Sequence, residues 1–369
     1  MQSIGIRSYR RLLAAFSLAV VVASASYAQA QVKAQHYTQK ILVADHSGVA
    51  GNTDANLVNP WGLSRSSGSP WWVSDNGTGV STLYDGTGKA APLIVTIPPA
   101  NSSSKTGTPT GTVFNGGTGF ALASGKPALF LFVTEDGTVS GWNPGVNPTH
   151  AVIKVNENGK SVFKGATIAN VGLSSFLYVA DFRQGHLQVF DSSFHHVSAM
   201  EALFKDDRLP SGYAPFNVQN IGGDVYVTFA VQDSAKHDEV DGAGLGYVDV
   251  FTPTGTLLRR FDHGSWLNAP WGLALASGDF GVFSHDLLVG QFGSGTIQVY
   301  DPLTGHLLGH LSDASNRTIQ HDGLWALSFG SDGGSGPATT LYFSAGTNHE
   351  QDGLFGAITA IDNAQGNHQ

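Results

Sequence analysis

One landmark recurs along this chain at intervals of about 50–55 residues, and that period restricts the fold more than any other feature. Its best copies are Asn59-Pro60-Trp61-Gly62-Leu63 and Ala269-Pro270-Trp271-Gly272-Leu273. Weaker copies are Gly111-Thr112-Val113-Phe114-Asn115, Lys164-Gly165-Ala166, Ala214-Pro215-Phe216-Asn217 and Asp322-Gly323-Leu324-Trp325. A second landmark follows each: an apolar strand ending in a polar residue, then a glycine turn and another strand. Trp72-Val73-Ser74-Asp75, Phe132-Val133-Thr134-Glu135, Tyr178-Val179-Ala180-Asp181 and Leu288-Val289-Gly290-Gln291 are copies of it. The strands that follow, such as Gly185–Asp191 and Gly295–Asp301, alternate with a period of two.

Six copies of four short strands predict an all-β, six-bladed propeller with four-stranded blades. Each blade buries both faces against its neighbours, so its strands read as near-continuous apolar runs. Composition agrees, with 47 glycines and only 13% charged residues, as short strands and tight turns require. The last repeat, about Asp322 to Asp362, supplies three strands. The segment Tyr37 to Asp45 is expected to complete it as the outer strand and close the ring, which removes the exposed edges of an open array. A short helical turn is expected near Ala199–Phe204.

The N-terminus reads as a secretory leader. Arg7, Arg10 and Arg11 precede the apolar run Leu12–Ala23, and Ala28-Gln29-Ala30 is a small-x-small cleavage site. The run is short of the roughly 20 residues a membrane span needs, and no later stretch could span a bilayer. The expected division is a signal peptide over 1–30 and one propeller domain over 31–369, exported to the periplasm or the exterior. The chain has no cysteine, so neither disulfides nor a lipoprotein anchor contribute. Without the three leader arginines, 19 basic residues become 16 against 28 acidic ones, a formal charge of −12. An acidic chain with no basic run excludes nucleic acid as a partner.

In such a ring, the loops entering the inner strands and those leaving the second strands share one face around the central channel. That face is where a small molecule or a protein partner is expected. It collects Asn59, Trp61, Asn76, Lys164, Asn217, Gln219 and Gln291 as ligand-binding candidates. Asp75, Glu135 and Asp181 end the second strand in three consecutive blades and are the candidate metal ligands, for a divalent cation such as Ca²⁺. An Asp in that place also caps the following turn through its own side chain. Two long loops rise over the same face. Residues 232–242 bring His237, Asp238 and Asp241, and residues 346–353 bring His349 and Glu350. Imidazole with carboxylates suits metal ligation or acid–base chemistry, and equally a solvated surface.

Pro-Trp-Gly-Leu followed by Val-x-Asp-Asn-Gly-Thr-Gly-x-x-x-Leu-Tyr-Asp resembles the NHL-like and gluconolactonase-like six-bladed propellers. More narrowly, Asn59–Asp85, Thr134–Pro144, Ala214–Gly223, Lys236–Phe251, Asn268–Asp301 and Asp322–Phe355 resemble conserved hypothetical exported bacterial proteins, some with PEP-CTERM sorting tails. No apolar and basic sorting tail precedes Gln369. The resemblance implies the fold and export, and no settled activity. Two functions stand side by side: a scaffold that binds a ligand or protein at the channel mouth, and a lactonase-type hydrolase or lyase whose channel-mouth cation polarises a carbonyl. For the second, Asp75, Glu135, Asp181, Asn59 and Asn217 would hold the cation.

Overall fold

A computed structural model of the chain describes residues 36–361. The leader read over residues 1–30 and its cleavage site lie outside them. Among the described residues, no helix is long and apolar enough to cross a membrane.

Six antiparallel sheets stand in a ring, each running from an inner strand at the channel to an outer strand at the rim. The inner strands are Pro60–Ser64, Pro109–Phe114, Phe163–Val171, Tyr213–Ile221, Pro270–Leu275 and Leu324–Phe329. Each touches the next, and the sixth touches the first, so the ring is closed. The expected six-bladed propeller is the fold.

Closure works as the missing strand requires. Tyr37–Ala44 pairs antiparallel with Leu354–Ala360, with Tyr37 opposite Ala360 and Ala44 opposite Leu354. The seam is also sealed by side chains, for the buried Tyr37 packs at a tilt against Phe280 of blade five, with centroids 4.7 Å apart, and donates its hydroxyl to the Phe280 carbonyl at 3.0 Å. Asn52–Thr53 adds a short parallel strand outside it.

Blade three departs from the four-stranded plan. It has only Phe163–Val171, Ser174–Asp181 and His186–Asp191. The helical turn Ser198–Glu201 takes the place of the fourth strand, and Glu201 accepts the outward-facing Val189 amide at 3.0 Å. A charged cap on an edge amide blocks further strand addition. Between blades the core is aromatic and aliphatic. Trp72, for example, stacks on Phe130 at 4.2 Å and meets Trp142 at 4.7 Å, joining blades one and two.

Candidate functional site

Every inner strand breaks register near its start. The shifts fall between Pro60 and Leu63, Pro109 and Thr112, Phe163 and Gly165, Pro215 and Asn217, Pro270 and Leu273, and Leu324 and Leu327. The first residue of each shift is Trp61, Thr110, Lys164, Phe216, Trp271 or Trp325. A bulge re-aims the side chain that it carries, and here it brings Trp61, Phe216, Trp271 and Trp325 together at the channel with Lys164 over the Trp61 ring, while Thr110 donates its hydroxyl to the Phe163 carbonyl at 2.7 Å. The following residue is glycine in four blades, because the strands crowd there. A Cβ on Gly62 would meet the Thr110 carbonyl oxygen at 2.5 Å, and one on Gly272 the Trp325 oxygen at 2.6 Å.

The gathered rings plug the channel. Trp61 and Trp325 stack with centroids 3.4 Å apart, and Trp271 stands edge-on to both at 6.0 and 5.9 Å. Phe216 and Phe292 pack against the Trp325 ring at 5.9 and 4.1 Å. Farther along the inner strands a small recess is lined by Gly62, Thr112, Asn217, Gln219, Trp271 and Leu327.

Among these six inner-strand residues Lys164 alone carries a charge, and it is buried. Its Nζ lies 4.9 Å from the Trp61 ring centroid and 5.7 Å from that of Phe182. The same ammonium donates to Glu135 Oε1 at 2.6 Å and reaches Asp238 Oδ1 at 3.5 Å. Burial works against the charge, but Glu135, Glu239 and Asp238 outweigh it and hold the lysine pKa up at about 12. Lys164 therefore remains an ammonium at neutral pH.

Four carboxylates surround that single cation. Glu135 Oε2 also accepts the Asn76 amide at 2.8 Å. Asp238 accepts from His237 Nδ1 at 2.7 Å, and that bond holds its pKa down at about 2 and raises that of the imidazole. Glu239 has its carboxyl pushed up to about 7 by burial. Glu350 is likewise raised by burial, and its Oε2 accepts the Asn59 amide at 2.7 Å. Asn59 ties the cluster to the plug, since its Oδ1 accepts the Trp325 indole N–H at 3.0 Å.

Glu350 arrives on a strained loop. Asn348, His349 and Glu350 are three consecutive non-glycine residues in the left-handed region, with φ of 54°, 53° and 63°. Such a conformation costs roughly 1–2 kcal/mol per L-residue. Strain concentrates where surrounding structure overrides it, and functional sites are frequent among such places.

The expected metal trio does not assemble. Asp75, Asp181 and Glu135 do not occupy one register position. Asp75 pairs with Pro60 at the strand end, and the residue opposite Pro109 is Thr134 rather than Glu135. One step along a strand turns the side chain to the other face. Asp75 Oδ2 therefore accepts the Thr82 amide at 3.0 Å inside its blade, as Thr134 Oγ1 accepts the Thr138 amide at 2.9 Å. Asp181 caps Val162 and Gln184 amides and the Gln188 side chain. Both carboxyls are buried, and burial raises their pKa. Two donor groups do form among the described residues, Asp45 with His46 and Asp352, and at the mouth Glu135 with His237 and Asp238; in each the ligand atoms lie within 4.8 Å of one another. A histidine with two carboxylates matches a transition metal better than the all-oxygen shell of Ca²⁺. The Lys164 ammonium already stands against two of the three at the mouth.

Other candidates part from the mouth as well. Gln291 is fully buried and spends its side chain on the Asn268 amide and the Val289 carbonyl. Asn217 donates to the Trp271 carbonyl at 2.7 Å and joins two inner strands. Gln219 lines the space beyond the plug. Asp241 and His349 are exposed on their loops. Asn59, Trp61, Asn76, Lys164, Glu135, His237, Asp238 and Glu350 do come together. Glu239, Phe182 and Phe292 belong with them and escaped the sequence reading. A long loop that places an acid beside His-Asp was the available signal for Glu239.

Comparison with known proteins supports the fold and a family. No family model matches the chain. Among solved structures, a streptogramin B lyase covers 88% of this chain with TM-score 0.51 at 10% identity. A protein of unknown function from Bacteroides thetaiotaomicron covers 88% with TM-score 0.53 at 11% identity. These likenesses concern the fold alone. Among curated proteins, uncharacterized protein L690 of Acanthamoeba polyphaga mimivirus is 34% identical over 330 residues, 86% of this chain and 84% of its own length. Uncharacterized protein R648 of the same virus is 33% identical, over 86% of this chain and 78% of its own length. These relatives are viral, and nothing in the comparisons supports the bacterial exported group with PEP-CTERM tails. By extent and identity, the chain belongs to the family of the mimivirus proteins L690 and R648.

Proposed function

We propose that this protein is an exported binding propeller whose loop face takes a small cationic ligand at the channel mouth. One observation carries the reading: four carboxylates, Glu135, Asp238, Glu239 and Glu350, crowd around a single buried ammonium, Lys164. A mouth with that excess of negative charge is stabilised by a further cation, which lowers the repulsion between carboxylates and the cost of their burial. The rigid plug of Trp61, Trp271 and Trp325 supplies the floor, and the two long loops supply the charges. Export rests on the basic, apolar and small order of residues 1–30.

Equilibrium dialysis and calorimetry with Ca²⁺, Zn²⁺ and putrescine test it. Uptake of at least one of these probes, weakened about tenfold in Asp238→Asn by loss of an opposite charge, is the expected outcome. Absence of uptake of all three by the wild type ends the reading. N-terminal sequencing of secreted material tests export, with a start near Gln31 expected.

A second reading is enzymatic, a hydrolase or lyase acting on a small molecule such as a lactone. It is favoured by the His237–Asp238 dyad, in which the carboxylate orients the ring through Nδ1 and leaves Nε2 for proton transfer. The Lys164 ammonium would then stabilise developing negative charge. Turnover of a lactone panel that disappears in His237→Gln would favour this reading over simple binding.

A further inference from the structure

We infer that residues 347–352 form a hinged lid over the mouth, held inward under strain and closed by the cation it helps to bind. It rests on the cation-binding reading for what lies beneath the lid.

The inward position is opposed from two directions. Asn348, His349 and Glu350 are forced into left-handed backbone, which glycine would adopt freely and these residues resist. Glu350 is also driven toward other acids, Glu135 and Asp238, with the Lys164 charge pulling the other way. Beyond that attraction, what holds the loop in is narrow. One residue, Asn59, binds it twice: its side-chain amide donates to Glu350 Oε2 at 2.7 Å, and its backbone N–H donates to the Asp352 carbonyl at 3.3 Å. Inside the loop, the Asp352 N–H donates to the Thr347 carbonyl at 3.1 Å and the Gln351 N–H to that of Asn348 at 3.3 Å.

The loop ends are suited to a swing. Glycines flank it at 346 and 353, both buried and fixed: the Gly346 N–H donates to the Gly323 carbonyl at 2.9 Å and the Gly353 carbonyl accepts the Asp45 N–H at 3.2 Å, so the segment between them pivots on two anchored ends. A few terminal residues that absorb φ/ψ change are what a hinge needs. A cation at the mouth attracts Glu350 and offsets the repulsion, so ligand and lid favour each other. The strained loop lowers apparent affinity by the fraction of molecules that stand open.

Amide hydrogen exchange of the full chain, free of added cations, isolates the lid from the ligand. The probes are the Asn59, Gln351 and Asp352 amides, with Val133 in a core strand as internal reference. His349→Gly relieves left-handed strain and slows exchange at these amides by about fivefold, while His349→Val, β-branched and intolerant of positive φ, speeds it by at least about fivefold. Val133 exchange remains unchanged in both. Opposite shifts in the two variants support the lid, even if no cation binds; that last result removes only the binding reading. Equal loop exchange in wild type and both variants, or loop exchange as slow as that of Val133, overturns the lid even where Ca²⁺, Zn²⁺ or putrescine binds.

Discussion

Glu135 and Lys164 form an ion pair at 2.6 Å whose ammonium is almost wholly buried and whose carboxylate is 11% exposed. Removing one partner of such a pair leaves the other charge uncompensated and costs roughly 3–5 kcal/mol. Lys164→Met is the more damaging change, because it strands four carboxylates rather than one lysine. Glu135→Gln is milder, since Asp238, Glu239 and Glu350 still face the ammonium. The double change should cost less than the sum of the two, and a double-mutant cycle from chemical denaturation reads the coupling. Additive single effects would contradict the pairing.

The acids at the mouth and in blade four make stability fall as pH rises. Glu239 is raised to about 7 by burial, and Asp249 in blade four to about 6 for the same reason, though Arg260 opposes it. Unfolded carboxyls release their protons near pH 4. Between that value and 7 these two groups hold more protons in the folded chain than in the unfolded one, so they make stability decline with rising pH and level off above about 7; buried His321, held down at about 4, acts in the opposite sense and offsets one of the two. The melting temperature without added cations should be higher at pH 5 than at pH 8, with a shift of about 2–4 °C for each kcal/mol. Glu239→Gln should flatten the upper part of the profile. A melting temperature that rises across this window would refute the assignment.

The period of the inner-strand motif made the blade count legible, and the absence of one strand from the final repeat made the closure legible. Both follow from local chemistry: Pro-Trp-Gly marks a bulge and a close approach, and an unpaired edge demands a partner. The site was half legible. Loops 232–242 and 346–353 stood out by length and by His with acids, and they do deliver Asp238 and Glu350 to the mouth. Asp75 and Asp181 misled because a strand-ending acid looks the same whether it faces the channel or caps its own turn. Only the register, with Thr134 rather than Glu135 opposite Pro109, separates those cases. Phe182 and Phe292 stand one residue past the strand-ending Asp181 and Gln291, the position that Asn76 and Glu135 hold in blades one and two, and a reading that stops at the strand-ending residue passes over them.

Closure by Tyr37–Ala44 makes the ends of the chain interdependent. Deleting residues 31–46 removes the outer strand of blade six and exposes the edge of Leu354–Ala360. It also removes Tyr37, buried against Phe280 and Phe283. The truncated chain should aggregate and melt well below the full chain. Light scattering and calorimetry decide the matter, and an unchanged, monodisperse, equally stable truncation would show that the seam contributes nothing.

The last prediction separates the mouth from the turn-capping acids. Asp75 is fully buried with one oxygen on the Thr82 amide at 3.0 Å and the other without a hydrogen-bond partner among the described residues. An asparagine there keeps the acceptor for Thr82 and removes a carboxyl that burial penalises, at the expense of placing an NH₂ in a buried position where the unpaired Thr82 hydroxyl is the acceptor at hand. Asp75→Asn should therefore alter stability by no more than about 1–2 kcal/mol in either direction and leave cation uptake untouched. Asp181→Asn should weaken its turn, because that carboxylate accepts three hydrogen bonds, and should also leave uptake untouched. Glu135→Gln acts differently. It frees the Lys164 ammonium from its nearest anion and turns it toward Asp238, Glu239 and Glu350, the groups left to receive a ligand. Uptake should then fall by about tenfold or more, the equivalent of one charge interaction at short range in a partly buried site. Equilibrium dialysis of the three variants against Ca²⁺ and Zn²⁺ gives the comparison directly. Loss of uptake in Asp75→Asn with retention in Glu135→Gln would return the site to the strand-end acids and remove the mouth from consideration.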